Sequence, residues 1–106
     1  MDTLANLEKT IASRFDADPA LSYVAKLNAS GIPVIARKLG EEAVEAVVAA
    51  LSEDCDELIG EAADVIFHLM VLLQAKDIAL SDVMAELERR EGTSGLEEKA
   101  SRKVKD

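Results

Sequence analysis

Two stretches decide the fold: residues 34–51, Val34-Ile35-Ala36-Arg37-Lys38-Leu39-Gly40-Glu41-Glu42-Ala43-Val44-Glu45-Ala46-Val47-Val48-Ala49-Ala50-Leu51, and residues 58–73, Leu58-Ile59-Gly60-Glu61-Ala62-Ala63-Asp64-Val65-Ile66-Phe67-His68-Leu69-Met70-Val71-Leu72-Leu73. In the first, Leu39, Ala43, Val47 and Leu51 recur every fourth residue; in the second, Leu58, Ala62, Val65, Leu69 and Leu72 recur every third or fourth. That period belongs to the α-helix and not to the two-residue repeat of a strand. The polar run Ser52-Glu53-Asp54-Cys55-Asp56 between them reads as a turn, so the spacing predicts an antiparallel helix pair.

Working outward, Leu4, Leu7, Ile11 and Phe15 predict a first helix ending before Pro19, and Ser22 predicts an N-cap for a short helix over Tyr23–Ala29 that stops at Gly31. Pro33 suits the first turn of the helix that follows. Beyond about Lys76, Ser81 or Asp82 can cap a last helix through Val83, Leu87 and Arg90. Glu91–Asp106 contains two glycines and little apolar content and reads as a flexible basic tail, leaving residues 1–90 as one all-α domain. No internal repeat or low-complexity segment is present.

Composition narrows the function. The chain has 106 residues, enough for one small core, and three aromatic residues, Phe15, Tyr23 and Phe67. With so few stacking surfaces and a formal charge of −9, it is a poor ligand for nucleic acid. The charge is divided: residues 1–88 sum to −11 and residues 89–106 to +2. The single cysteine, Cys55, cannot form an internal disulfide, no basic-then-apolar leader opens the chain, and no run of about 18 uninterrupted apolar residues is present. A soluble, cytoplasmic protein that engages no membrane is the expectation.

The acidic residues on the helix pair carry the chemistry. Glu41, Glu42 and Glu45 form E-E-x-x-E, and Glu61 with Asp64 forms E-x-x-D. Helix positions three or four apart are neighbours, about 5–6 Å between Cβ atoms. Both motifs lie roughly 7–11 Å from the same turn at about 1.5 Å rise per residue, so an antiparallel pair brings the carboxylates to one height. Carboxylates converging in this way repel unless protonated or bridged by cations, and hard divalent ions, Mg²⁺ above all, are the natural filling. The plainer alternative, acids solvating two exposed helix faces, sits awkwardly with so many apolar neighbours. A carboxylate-bridged di-iron centre wants Glu-x-x-His, whereas His68 is four residues after Asp64.

The motifs K-L-G-E-E-A-V-E over 38–45 and E-A-A-D-V-I-F-H over 61–68 resemble those of the phosphoribosyl-ATP pyrophosphatase family, within the all-α nucleotide pyrophosphohydrolases marked by EExxE and ExxD. Ser22-Tyr23, His68-Leu69-Met70-Val71-Leu72-Leu73 and Gly92-Thr93-Ser94-Gly95-Leu96-Glu97-Glu98-Lys99 resemble the phosphoribosyl-ATP branch in particular. The resemblance implies Mg²⁺-dependent hydrolysis of 1-(5-phosphoribosyl)-ATP to 1-(5-phosphoribosyl)-AMP and pyrophosphate, a step of histidine biosynthesis. It also implies a homodimer, in keeping with apolar helix faces broader than the remaining short helices can cover. By motif position it makes Glu42, Glu45, Glu61 and Asp64 metal ligands and Glu41 the acid or base beside them.

Other residues are candidates of lower specificity. Lys38 can pair with Glu41 or Glu42 or reach a phosphate, Arg14 and Lys26 are further phosphate candidates, and Ser22 and Tyr23 are substrate contacts if they are not simply cap and core. His68 either orients a ligand or fills the core. Gly40 and Gly60 suggest close helix approach, with access for substrate as the second reason. Two further functions share these features: a house-cleaning nucleoside triphosphate pyrophosphohydrolase, which would keep the acids and differ in the base pocket, and a non-enzymatic acidic helical interaction module.

Overall fold

The computed structural model describes residues 2–52, 54–92 and 94–105, with side chains omitted at 98 and 103–105. Glu53 of the expected turn and the Lys103 side chain of the tail therefore lie outside the described residues. Among the described residues six helices follow in order: α1 (Thr3–Arg14), α2 (Tyr23–Ser30), α3 (Ile32–Leu51), α4 (Cys55–Ala75), α5 (Leu80–Arg90) and α6 (Gly95–Lys105). Among the described residues there is no strand, as the apolar periodicity requires.

Local chemistry accounts for most boundaries. Ser22 Oγ accepts the Ala25 N–H at 3.2 Å and starts α2. Gly31, at φ +92°, ends α2 and opens α3 in a conformation that a Cβ would strain. Asp54 accepts the N–H groups of Asp56 and Glu57 at 3.0 and 3.2 Å, so α4 begins at Cys55 and the turn is shorter than the polar run suggests. The expected cap of α5 at Ser81 or Asp82 is corrected: α5 begins at Leu80 without a side-chain cap of its own, and Glu8 from α1 accepts the Leu80 N–H at 2.7 Å. A cap supplied 72 residues away leaves no local signature. Residues 95–105 are helical, with Ser94 Oγ accepting the Glu97 N–H at 3.1 Å, a Ser-x-x-Glu start signal that outweighs the low apolar content.

The core lies at one end of the α3–α4 pair. Ile11 of α1, Val24 and Leu27 of α2, Ile35 of α3 and Met70 and Val71 of α4 form one buried cluster. At 12 and 8 residues, α1 and α2 are too short to run beside a 20-residue helix over its length. The half of the pair nearest the turn therefore stands uncovered, with Val44, Val47, Val48, Leu51 and Ile59 all at least 60% exposed. The radius of gyration, 15.9 Å, exceeds the about 13 Å of a compact domain of this length.

By length and composition α4 could cross a bilayer, because the interrupting Glu61 and Asp64 are too few to prevent it, although no uninterrupted apolar run exists. A core helix awaiting a second packing surface has the same composition. Nor do Gly40 and Gly60 mark close helix approach within the chain, since a Cβ at either meets nothing within 4 Å.

Candidate active site

The antiparallel packing of α3 on α4 sets the two acidic motifs across from one another. Carboxylate oxygens of Glu42, Glu45 and Glu61 all lie within 4.8 Å of each other. Asp64, one turn along α4, is close enough for its charge to act on both Glu42 and Glu61. A hydrogen bond with Glu45, followed by loss of water and the charges of Glu45, Asp64 and Glu61, pushes Glu42 up to about 7. Burial first, then Glu45 and Asp64, raises Glu61 as well. Oε2 of Glu61 is buried without a hydrogen-bond partner. An orphaned carboxylate oxygen among mutually repelling carboxylates is what a hard cation satisfies, and the all-oxygen donor set fits Mg²⁺.

The cluster is more open than its apolar neighbours in the sequence suggest. Glu41, Glu45 and Asp64 are exposed, and so are Val44, Val47 and Val48 around them. Glu41 is not one of the three converging residues; its carboxylate lies 3.6 Å from Lys38 Nζ and 3.8 Å from Arg37 Nε. Lys38 thus takes the carboxylate pairing expected of it, and it also lines the cleft formed with Gly40, Glu41, Glu42 and Glu45. Arg37 was not a sequence candidate, though its i, i+4 spacing to Glu41 could have marked it.

His68 is 4% exposed and joins the cluster to α2. Its Nδ1 lies 2.7 Å from the carbonyl oxygen of Asp64, and its Nε2 lies 3.0 Å from Tyr23 Oη. A carbonyl can only accept, so Nδ1 carries the proton, and Nε2 accepts from the Tyr23 hydroxyl. Tyr23 is thereby a donor to His68 and not to a ligand, while its ring stacks on Phe67 at 6.0 Å between centroids. Tyr23, Phe67, Arg14, Asp18 and Ser22 line a second cleft of about 560 Å³ between α1 and α2. Phe67 was missed in the sequence, where it reads as one more apolar residue of α4. Lys26 is exposed on α2 and outside that cleft.

Because Asn matches the position of Nδ1 while Leu matches only the volume, His68→Asn should retain at least ten times the metal-dependent turnover of His68→Leu, even where the leucine variant melts at the same temperature. Equal activity in two equally stable variants would mean that His68 only fills space.

Known proteins are similar to this chain in sequence. Residues 4–91 match the family described as phosphoribosyl-ATP pyrophosphohydrolase. A phosphoribosyl-ATP pyrophosphatase of Novosphingobium aromaticivorans is 64% identical over 95% of this chain and 94% of its own length. One from Erythrobacter litoralis is 62% identical over 96% and 98%, and one from Dinoroseobacter shibae 58% identical over 96% and 100%. With the acidic helix pair in place and relatives this similar over nearly the whole length, the chain belongs to the phosphoribosyl-ATP pyrophosphohydrolase family.

Proposed function

We propose that this protein hydrolyses 1-(5-phosphoribosyl)-ATP between the α and β phosphates, releasing pyrophosphate and 1-(5-phosphoribosyl)-AMP, with Mg²⁺ held by Glu42, Glu45, Glu61 and Asp64. The observation that carries the reading is the convergence of Glu42, Glu45 and Glu61 around an unpartnered Glu61 oxygen, in a chain so similar to phosphoribosyl-ATP pyrophosphatases. Bound Mg²⁺ supplies charge neutralisation of the triphosphate and polarisation of the phosphorus under attack. The protein's part is then to orient. Lys38, which lines the acidic cleft, attracts a phosphate oxygen, and Glu41, on the same cleft wall, orients or deprotonates the attacking water. His68 holds the Asp64 turn in register with α2. Arg14, Ser22 and Tyr23 line a cleft that can take the substrate's remainder, and Lys26 is exposed on α2 outside it. The uncovered half of the helix pair supports a homodimer, and residues 91–106 are read as an appendage to the catalytic domain.

Measuring pyrophosphate release from phosphoribosyl-ATP, ATP and deoxynucleoside triphosphates tests this directly. Phosphoribosyl-ATP should be favoured over ATP by at least about 100-fold in kcat/KM, about 2.7 kcal/mol, the scale of one or two charge-assisted contacts to the extra arm. Comparable efficiency on ordinary nucleoside triphosphates would replace the reading with a house-cleaning activity.

A further inference from the structure

The proposed substrate has two anionic ends, and the acidic cleft accommodates only one of them. Residues 1–88 contain six cationic side chains for the other. Arg37 and Lys38 are turned to Glu41. Lys9 lies in a separate hollow with Glu8 and Asp77, and Lys76 and Lys26 are exposed on the outside of α4 and α2. Arg14 lines a separate cleft that is tied to the carboxylate helix through Phe67 and through the Tyr23–His68–Asp64 hydrogen bonds, and it forms no ion pair among the described residues.

Resting on the substrate reading above, we propose that the cleft between the end of α1 and the start of α2 receives the phosphorylated ribose arm of the substrate, with Arg14 pairing with its terminal phosphate. Its volume, about 560 Å³, is ample for a sugar phosphate. Its wall is fixed to the carboxylate helix: Phe67 is three residues beyond Asp64, about 5 Å along α4, and Tyr23 is hydrogen-bonded to His68, which grips the Asp64 carbonyl. The hydroxyl of Tyr23 is spent on His68, so this residue contributes a ring surface. Ser22 Oγ accepts from Ala25 and keeps its own proton for an acceptor in the cleft. Asp18 also lines the cleft, with Oδ1 accepting the Ala20 N–H at 2.9 Å. Its charge opposes a phosphate, so occupancy by an anion depends on Arg14.

Steady-state kinetics with Mg²⁺ on phosphoribosyl-ATP and on ATP, for the wild type, Arg14→Gln, Asp18→Asn and Lys9→Gln, test the assignment alongside calorimetric binding of ribose 5-phosphate. Arg14→Gln should raise KM for phosphoribosyl-ATP at least about tenfold, leave kcat and the ATP kinetics within twofold, and abolish ribose 5-phosphate binding. Asp18→Asn should move the same KM in the opposite direction, and Lys9→Gln should behave as wild type, which separates local pairing from the change in net charge. An Arg14→Gln protein with unaltered discrimination, or Lys9→Gln with the same defect, overturns the cleft. A wild type that hydrolyses ATP as well as phosphoribosyl-ATP overturns the substrate reading instead. Ribose 5-phosphate binding that needs Arg14 would then still support a sugar-phosphate cleft, and its absence from the wild type would refute one.

Discussion

Glu45→Gln and Asp64→Asn should each lower Mg²⁺-dependent pyrophosphate release by at least about 1000-fold, close to 4 kcal/mol in the barrier, while the helical circular dichroism stays unchanged. Each substitution removes one anionic oxygen from a set whose members hold one another protonated or repelled, with Glu42 pushed up to about 7 chiefly through its bond with Glu45. In the unfolded chain Glu42 titrates near its ordinary 4.5. The metal-free folded state therefore binds the extra proton between about 4.5 and 7, and its stability falls as pH rises through that window. Melting temperatures in EDTA should decline accordingly in the wild type, and less in Glu45→Gln. Metal must displace the Glu42 proton, so affinity for Mg²⁺ or Mn²⁺ should increase with pH up to and beyond about 7. Either variant retaining a tenth of wild-type turnover would remove its residue from the metal site.

A single charge on the uncovered half of the helix pair should separate the proposed dimer. Val47 is 60% and Ile59 68% exposed in the isolated chain, amid Val44, Val48 and Leu51. In a two-fold interface each substitution occurs twice, and burial of an aliphatic side chain contributes about 1.5–3 kcal/mol. Val47→Asp should thus weaken association by about 3–6 kcal/mol, roughly 100-fold to 10⁴-fold in Kd. Sedimentation velocity across protein concentrations provides the measurement. A wild type that sediments as a monomer at all concentrations, or a Val47→Asp variant indistinguishable from it, refutes the dimer.

Much of the fold was legible because helical periodicity and capping are local. The starts of α2 and α3 follow from Ser22, Gly31 and Pro33, and the pairing of α3 with α4 follows from two long apolar helices joined by a short polar turn. The start of α5 was not legible, since its capping carboxylate, Glu8, arrives from α1. The tail helix was legible in principle at Ser94 and Glu97, but low apolar content drew the reading toward irregular chain. At the site, E-E-x-x-E and E-x-x-D contain Glu42, Glu45, Glu61 and Asp64, which the helix pair brings near one another, because residues three apart share a helix face, while Glu41 pairs with Arg37 and Lys38 instead.

What the sequence by itself determined is the kind of chemistry: carboxylates at helical spacing on two apolar segments, whose repulsion invites a hard cation whatever the details of packing. Only the tertiary structure decided how the remaining residues divide. It paired Glu41 with Arg37 and Lys38, and it committed the Tyr23 hydroxyl to His68. It also set Arg14 on the wall of a cleft from which Lys26 is absent, and left the apolar residues near the turn open. Each of these outcomes depends on contacts between helices far apart in the chain, where direction and reach are set by how α1 and α2 cross the α3–α4 pair, and spacing along one helix carries no record of that crossing.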